Sequence, residues 1–314
     1  MKKTIIGLIL IIIVGMAIVA AWQISQTPTE STGPFWVIDD VGRNVTIYKY
    51  PPERIVSLSP SSTEILFALG LGEKVVGVDT YSDYPEETEN ITKVGSFATI
   101  SIEAVLGLTP DLVVATGGVQ RPVVEELEEP LRSINGSIVV LYPKNVSAVL
   151  SDISLVGKIT GRMAEANILV ADMEERIQEV VDQTQDVSRL RVYVEYYFNG
   201  GYWSFGSQSM INEMIYKAGG VNIFSDYAGT YMSTNDEAIF NADPEVIVIS
   251  KGAMADSCGL TPDVIKGRAG WDQLSSIQND RIYEIDEPII TRPGPRIVDA
   301  IEELASKFYP EIFD

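Results

Sequence analysis

Short β-branched runs alternate with stretches of helical periodicity along most of this chain. Arg54 to Ser59 (RIVSLS) predicts a strand. Pro60-Ser61-Ser62 then opens a helix through Leu69, with Glu64 in its first turn and Gly70 and Gly72 stopping it. Hydroxyl side chains at such a start satisfy orphan amides, and an acid there meets the positive end of the helix. Val75–Val78, Leu112–Ala115 and Ile138–Leu141 predict further strands, with helices over Ser101–Gly107 and Arg121–Ser133 between them. A helical pattern then runs from about Asn145 to Gln183, interrupted at Gly161, with Ile168, Leu169, Met173, Ile177 and Val180 at helical spacing in its second half. Beyond it the alternation resumes, with strands at Arg191–Tyr197, Val246–Ile249 and Ile282–Ile285 and a helix at Ser209–Ala218. A closing helix spans Pro295 to Phe308, its proline at or near the first turn, where a missing amide is tolerated. Strands alternating with helices predict an α/β fold with mostly parallel sheets covered on both faces.

Part of this pattern occurs twice. Glu103-Ala104-Val105-Leu106 followed by Pro110-Asp111-Leu112-Val113-Val114 matches Glu237-Ala238-Ile239-Phe240 followed by Pro244-Glu245-Val246-Ile247-Val248 at the same internal spacing. Glu64-Ile65-Leu66-Phe67 ending at Gly70 likewise matches Glu213-Met214-Ile215-Tyr216 ending at Gly219. The pairs keep their order in each half. They predict two lobes of related topology, residues 35–144 and 188–314, joined by a helical segment at 145–187.

The N-terminus follows a different rule. Met1-Lys2-Lys3-Thr4 precedes an almost unbroken apolar run from Ile5 to Trp22, the charge and hydropathy order of an export segment. A cleaved signal has an apolar core of about 7–15 residues and a spanning helix needs about 17–25. This run is in the longer class, and the single cysteine, Cys258, is not beside it to carry a lipid. Residues 1–22 are therefore expected to remain as a membrane anchor, with the lysines on the cytoplasmic side. Residues 23–34, rich in Ser, Thr, Gln and Pro, are expected to form a flexible tether.

Composition narrows the chemistry. A formal charge of −21 argues against nucleic acid or an anionic membrane surface as a partner. One cysteine excludes an intramolecular disulfide framework. The chain has no histidine, which removes the commonest zinc ligand and the base of Ser-His-Asp triads. Neither a phosphate-cradling glycine loop nor a GxSxG serine occurs, and no carboxylate pair stands out from the surface acids. No catalytic residue, metal ligand or resident cofactor is expected, and the chain reads as a binding protein.

Two α/β lobes enclose a cleft, and ligands on such lobes bind outside the carboxyl ends of the strands. The loops there are rich in aromatic residues. The first lobe offers Tyr81-Ser82-Asp83-Tyr84-Pro85, Phe97 and Thr116-Gly117-Gly118. The second offers Tyr196, Tyr197, Tyr202 and Trp203 around a Gly-Gly turn, then Tyr227, Tyr231 and Thr291-Arg292-Pro293-Gly294-Pro295. Flat rigid side chains bury large area at small entropic cost, which suits a bulky or ring-bearing ligand. Arg292 has two readings, a fork onto a ligand carboxylate or phosphate and a pair with a structural acid.

The run from Arg54 through Gly70, Val76-Gly-Val-Asp79 and the Tyr81–Pro85 loop resembles the substrate-binding proteins of cobalamin and iron-siderophore ABC importers. The resemblance continues through Glu103–Val114, the Glu237 segment with Pro244, and Arg292–Arg296. It implies two Rossmann-like lobes bridged by one long helix, with little hinge closure. It implies a monomer that takes a small-molecule metal chelate, a corrinoid or ferric siderophore, and delivers it to a membrane permease and its ATPase. Glu103 and Glu237 match the two lobe-tip glutamates that dock on such a permease. Tyr81, Phe97, Trp203, Tyr231 and Arg292 fall on or beside positions that line the cleft in the cobalamin branch. Phe97 stands where a tryptophan often occurs, and Thr116-Gly117 lacks an aromatic expected nearby.

Overall fold

Two parallel sheets, one in each lobe, form the frame of the computed structural model, which describes residues 33–119, 121–198 and 201–313. The expected anchor, the expected tether up to residue 32, and residues 120, 199, 200 and 314 lie outside the described residues. Among the described residues no helix is long and apolar enough to cross a membrane.

The first lobe opens with a hairpin that the sequence pattern did not announce, β1 (Phe35–Ile38) and β2 (Asn44–Ile47). The sheet follows, with β3 (Ile55–Ser57), helix α1 (Pro60–Ala68), β4 (Val75–Val78) and β5 (Thr92–Lys93). A small hairpin, β6 (Gly95–Ser96) and β7 (Thr99–Ile100), leads into α2 (Ile102–Gly107), β8 (Leu112–Thr116), α3 (Arg121–Ser133) and β9 (Ser137–Leu141). Its strand order is β5-β4-β3-β8-β9, all parallel. The β1–β2 hairpin covers the free edge of β9, where Asp40 N–H donates to Val140 O and the Ser137 hydroxyl donates to Thr46 O. An exposed edge would be a template for aggregation.

Broken at Gly161 as the pattern predicts, the helical segment forms α4 (Val146–Thr160) and α5 (Met163–Thr184). Gly161 ends α4 at φ +73°, a left-handed conformation that a side chain would strain. The second lobe holds β10 (Leu190–Glu195), β11 (Tyr197–Phe198), β12 (Tyr202–Phe205), α6 (Met210–Lys217), β13 (Gly220–Asn222), β14 (Tyr231–Thr234), α7 (Asp236–Ala242) and β15 (Val246–Lys251). It finishes with α8 (Ala253–Cys258), α9 (Pro262–Lys266), α10 (Ser275–Gln278), β16 (Ile282–Asp286), α11 (Glu287–Thr291), α12 (Ile297–Phe308) and the short α13 (Pro310–Phe313). Pro295 stands just outside α12, whose cap is Arg296.

The order β13-β10-β15-β16, again parallel, repeats that of β4-β3-β8-β9. The duplicated sequence fragments therefore occupy matching places. α1 and α6 each begin at a serine cap, Ser59 and Ser209, and the turns after them close at Gly70 and Gly219, both at positive φ. The serine and asparagine caps of α2 and α7, Ser101 and Asn235, place Glu103 and Glu237 at the same step of their helices.

One apolar core runs through both lobes. It joins Ile65 and Leu66 of α1 to Val149, Ile153 and Val156 of α4. From there it continues through Met173 and Ile177 of α5 to Ile211, Met214 and Ile215 of α6 and Ile297, Ile301 and Leu304 of α12. Burial of this extent is the main force holding the lobes at a fixed angle.

α4 also buries an acid. Asp152 is 2% exposed and hydrogen-bonds to Asp40, whose Oδ2 accepts from Tyr142 N–H at 2.6 Å. Burial first, then the bond to Asp40 and its charge, push the Asp152 carboxyl up to about 9. The folded protein thus holds a proton that the unfolded chain releases near pH 4. The stability this provides is complete below that pH and is lost as pH rises toward 9, at about 1.4 kcal/mol per pH unit. Asp152→Asn is expected to flatten this dependence and to raise the melting temperature at pH 8 more than at pH 5. Equal shifts at both pH values in thermal unfolding would refute it.

Candidate functional site

Between the lobes, at the carboxyl ends of β3, β8, β9, β10 and β16, lies a chamber of about 530 Å3. Its position follows from the topology, since parallel strands all deliver their following loops to one edge of the sheet.

On the first-lobe side a hydroxyl network fixes the loops. Ser57 and Ser62 hydroxyls are 2.7 Å apart, and Thr63 Oγ1 bonds to both Ser57 and Ser82 at 2.8 Å. Ser82 in turn donates to Asp79, a fully buried acid raised above its ordinary value by burial and held back by this bond and the Tyr81 amide. Tyr81 N–H donates to Asp79 Oδ2 at 3.0 Å, so the loop that carries Tyr81 is anchored at both ends of one carboxylate. The Tyr81 ring packs against Phe97, centroids 6.0 Å apart. Phe97, at the β6–β7 turn, lines the chamber, and Tyr81 touches it without being part of the lining.

Tyr142 completes this wall. Its ring lies where a Cβ on Gly117 would stand, so the glycine makes room for it. It supplies the aromatic face that Thr116-Gly117 lacks, from the next strand of the sheet. Lys144 Nζ sits 3.0 Å from the centroid of the same ring.

The second-lobe wall is a three-ring cluster. Phe205 and Tyr231 face each other in the β12–β14 register, 5.4 Å between centroids, and Tyr196 packs on them at 5.3 and 6.3 Å. Burial first, then the Glu287 charge and Tyr231, push the Tyr196 phenol up to about 12. Burial, then Tyr142, raises that of Tyr231. Both rings therefore offer protonated hydroxyls and π-faces, not phenolate ligands. Trp203, 41% exposed, does not line the chamber. Tyr202 belongs to the lobe core, edge-on to Trp271 at 5.4 Å.

Arg292 lines the chamber but points its fork away from an open anion site. Nη1 reaches Asp83 Oδ1 at 2.6 Å and Glu64 Oε1 at 3.4 Å, and Nη2 reaches Asp83 Oδ2 at 3.2 Å. Arg296 clamps the same Glu64 with bonds of 2.6 and 2.9 Å and lies 4.0 Å from the Tyr84 ring. Glu64 is thus not a first-turn acid stabilised by its helix end. It lies in the second turn of α1, buried, and binds the two lobes through two arginines.

The chamber lining contains Lys144 and Arg292 and no Asp or Glu, in a chain with 44 acids against 23 bases. Among the described residues no group of three or more Cys, His, Asp or Glu could hold a metal ion. Glu103 and Glu237 do not line the chamber. Both are exposed in the first turns of α2 and α7 and form no ion pair among the described residues.

Residues 55–289 match the model of the periplasmic binding protein family. The ABC transporter substrate-binding lipoprotein YvrC of Bacillus subtilis is 31% identical over 279 residues, covering 88% of this chain and 86% of that protein. The vitamin B12-binding protein of Vibrio cholerae is 30% identical over 263 residues, covering 82% and 89%. Among solved structures, the apo periplasmic heme-binding protein RhuT of Roseiflexus sp. RS-1 aligns at a TM-score of 0.72 and 28% identity, covering 82% of this chain and 98% of that one.

Proposed function

Because this chain belongs to the periplasmic binding protein family, a solute-binding class and not an enzymatic one, we propose that it is the extracytoplasmic binding component of an ABC importer for a corrinoid. The observation that carries this reading is the chamber itself, with aromatic faces from both lobes, cations but no acids in its lining, and no donor set for a bare metal ion among the described residues. Such a surface suits a large flat ligand that brings its metal already chelated. The vitamin B12-binding relative supports the choice of a corrinoid. The heme-binding structural neighbour makes heme the competing ring.

Calorimetry of the full-length chain in detergent, with cyanocobalamin, dicyanocobinamide, hemin and a ferric hydroxamate, tests the proposal. Corrinoids are expected to bind most tightly. Heat only with hemin, or with none of the four, would refute it.

The permease and its ATPase are the partners, and Glu103 and Glu237 the docking acids, one at each lobe tip. A buried interfacial ion pair loses affinity on the order of tenfold or more when one partner is removed. A Glu103→Ala, Glu237→Ala double variant is therefore expected to keep its corrinoid affinity and to lose uptake by at least that factor in cells. Uptake at the unaltered rate would show that docking lies elsewhere. The apolar run at Ile5–Trp22 then serves to hold the carrier beside its permease. Mass spectrometry of protein from native membranes is expected to find it still attached.

A further inference from the structure

Next to the chamber is a second cavity of about 430 Å3, lined by Lys144, Asn145, Ser207, Gln208, Ser209, Glu213 and Thr230. Lys144, Gln208, Ser209 and Thr230 line both spaces, so the cavity continues the chamber. Its chemistry is the opposite of the chamber's, for no aromatic or aliphatic side chain lines it.

Several of its polar groups are already committed. Glu213 Oε2 accepts from Val146 N–H at 2.8 Å, and Oε1 pairs with Lys217 at 3.5 Å. The Ser207 hydroxyl donates to Tyr227 O at 2.9 Å, and Ser209 Oγ accepts from Asn212 N–H at 3.1 Å. Asn145 Oδ1 accepts from Ala148 N–H at 2.8 Å. What remains is the Lys144 ammonium, which lies over the Tyr142 ring, with the Gln208 amide, the Asn145 NH2 group and the Thr230 hydroxyl. These have no hydrogen-bond or ion-pair partner among the described residues. The remainder is one positive charge with neutral donors and acceptors around it, and the one acid present is bonded elsewhere.

We infer that this annex receives a polar, singly anionic arm of the ligand, the phosphodiester and sugar of a nucleotide-bearing corrinoid, while the ring lies in the aromatic chamber. The inference rests on the corrinoid reading above. Lys144 meets the phosphate as a point charge, and the amides and the hydroxyl match sugar oxygens.

Titrating the full-length chain with cyanocobalamin and with dicyanocobinamide, which has the corrin but lacks the nucleotide arm, isolates the annex. Cyanocobalamin is expected to bind at least about tenfold more tightly. The ratio is expected to fall below about threefold in Lys144→Gln and further in Lys144→Gln, Gln208→Leu, because an exposed anion loses its partners. Equal affinities in the unaltered chain would overturn the annex and leave the corrinoid reading standing. A ratio unchanged in both variants would also overturn it. Binding of neither corrinoid would overturn both.

Discussion

Glu64→Ala is expected to destabilise the protein by about 3–5 kcal/mol, the cost of removing one partner from a buried ion pair. The Glu64 side chain is 2% exposed, and those of Arg292 and Arg296 are 17% and 21%. Arg292 keeps Asp83 as a partner in the variant, but Arg296 loses the only carboxylate bonded to it among the described residues. The strain falls on the junction between lobes, since Glu64 rides on α1 and both arginines belong to the second lobe. Denaturant unfolding measures the loss, with Glu125→Ala as the control because its pair with Arg121 is exposed and worth little. A change below about 1 kcal/mol for Glu64→Ala would mean that water reaches the cluster freely. Glu64→Gln, which retains the shape and one acceptor, is expected to lose less.

Arg268→Met is expected to cost a comparable amount, about 3–5 kcal/mol. Arg268 forks onto Glu195 with two bonds of 2.6 Å, and the carboxylate is fully buried. Its guanidinium lies 4.5 Å from the Tyr202 ring and 4.6 Å from that of Trp271. Tyr193 also donates to Glu195, at 3.1 Å, and burial followed by that carboxylate pushes its phenol well up. Methionine preserves much of the packing and leaves the buried Glu195 charge with the Tyr193 hydroxyl but without its cation. The double variant Arg268→Met, Glu195→Met is expected to recover most of the loss, because apolar replacement of a buried pair is often neutral. If both variants lose the same amount, packing and not charge explains Arg268.

The frame was legible from the sequence because parallel strands are apolar throughout and their helices carry hydroxyl or asparagine caps. The runs at Leu112 and Val246 are buried nearly end to end, and the duplicated fragments occupy equivalent positions in two sheets of the same order. The β1–β2 hairpin was not legible. Its strands are short, and their partner is an edge about ninety residues away in the chain, as Ser137 to Thr46 shows. The lining of the chamber was legible in part. Phe97, Tyr231 and Arg292 do line the chamber, whereas Tyr81 and Trp203 are not among its lining residues. Tyr142 and Lys144 were missed although they directly follow a predicted strand, the place where cleft residues arise. The missing signal is the fit of Tyr142 over Gly117, which involves two neighbouring strands at once. The role of Glu64 was misread for a related reason. A helix acid resembles a dipole partner until the arginines more than two hundred residues later are placed against it.

The shared apolar core has a consequence for traffic at the membrane. A carrier whose halves share one apolar core is expected to present nearly the same outer face whether it is full or empty. On the docking proposed above for Glu103 and Glu237, a shared core that fixes their spacing would make loaded and unloaded carriers rivals for one dock. Import would then follow the proportion of carriers that hold cargo, and raising the amount of carrier without raising the amount of cargo would slow it.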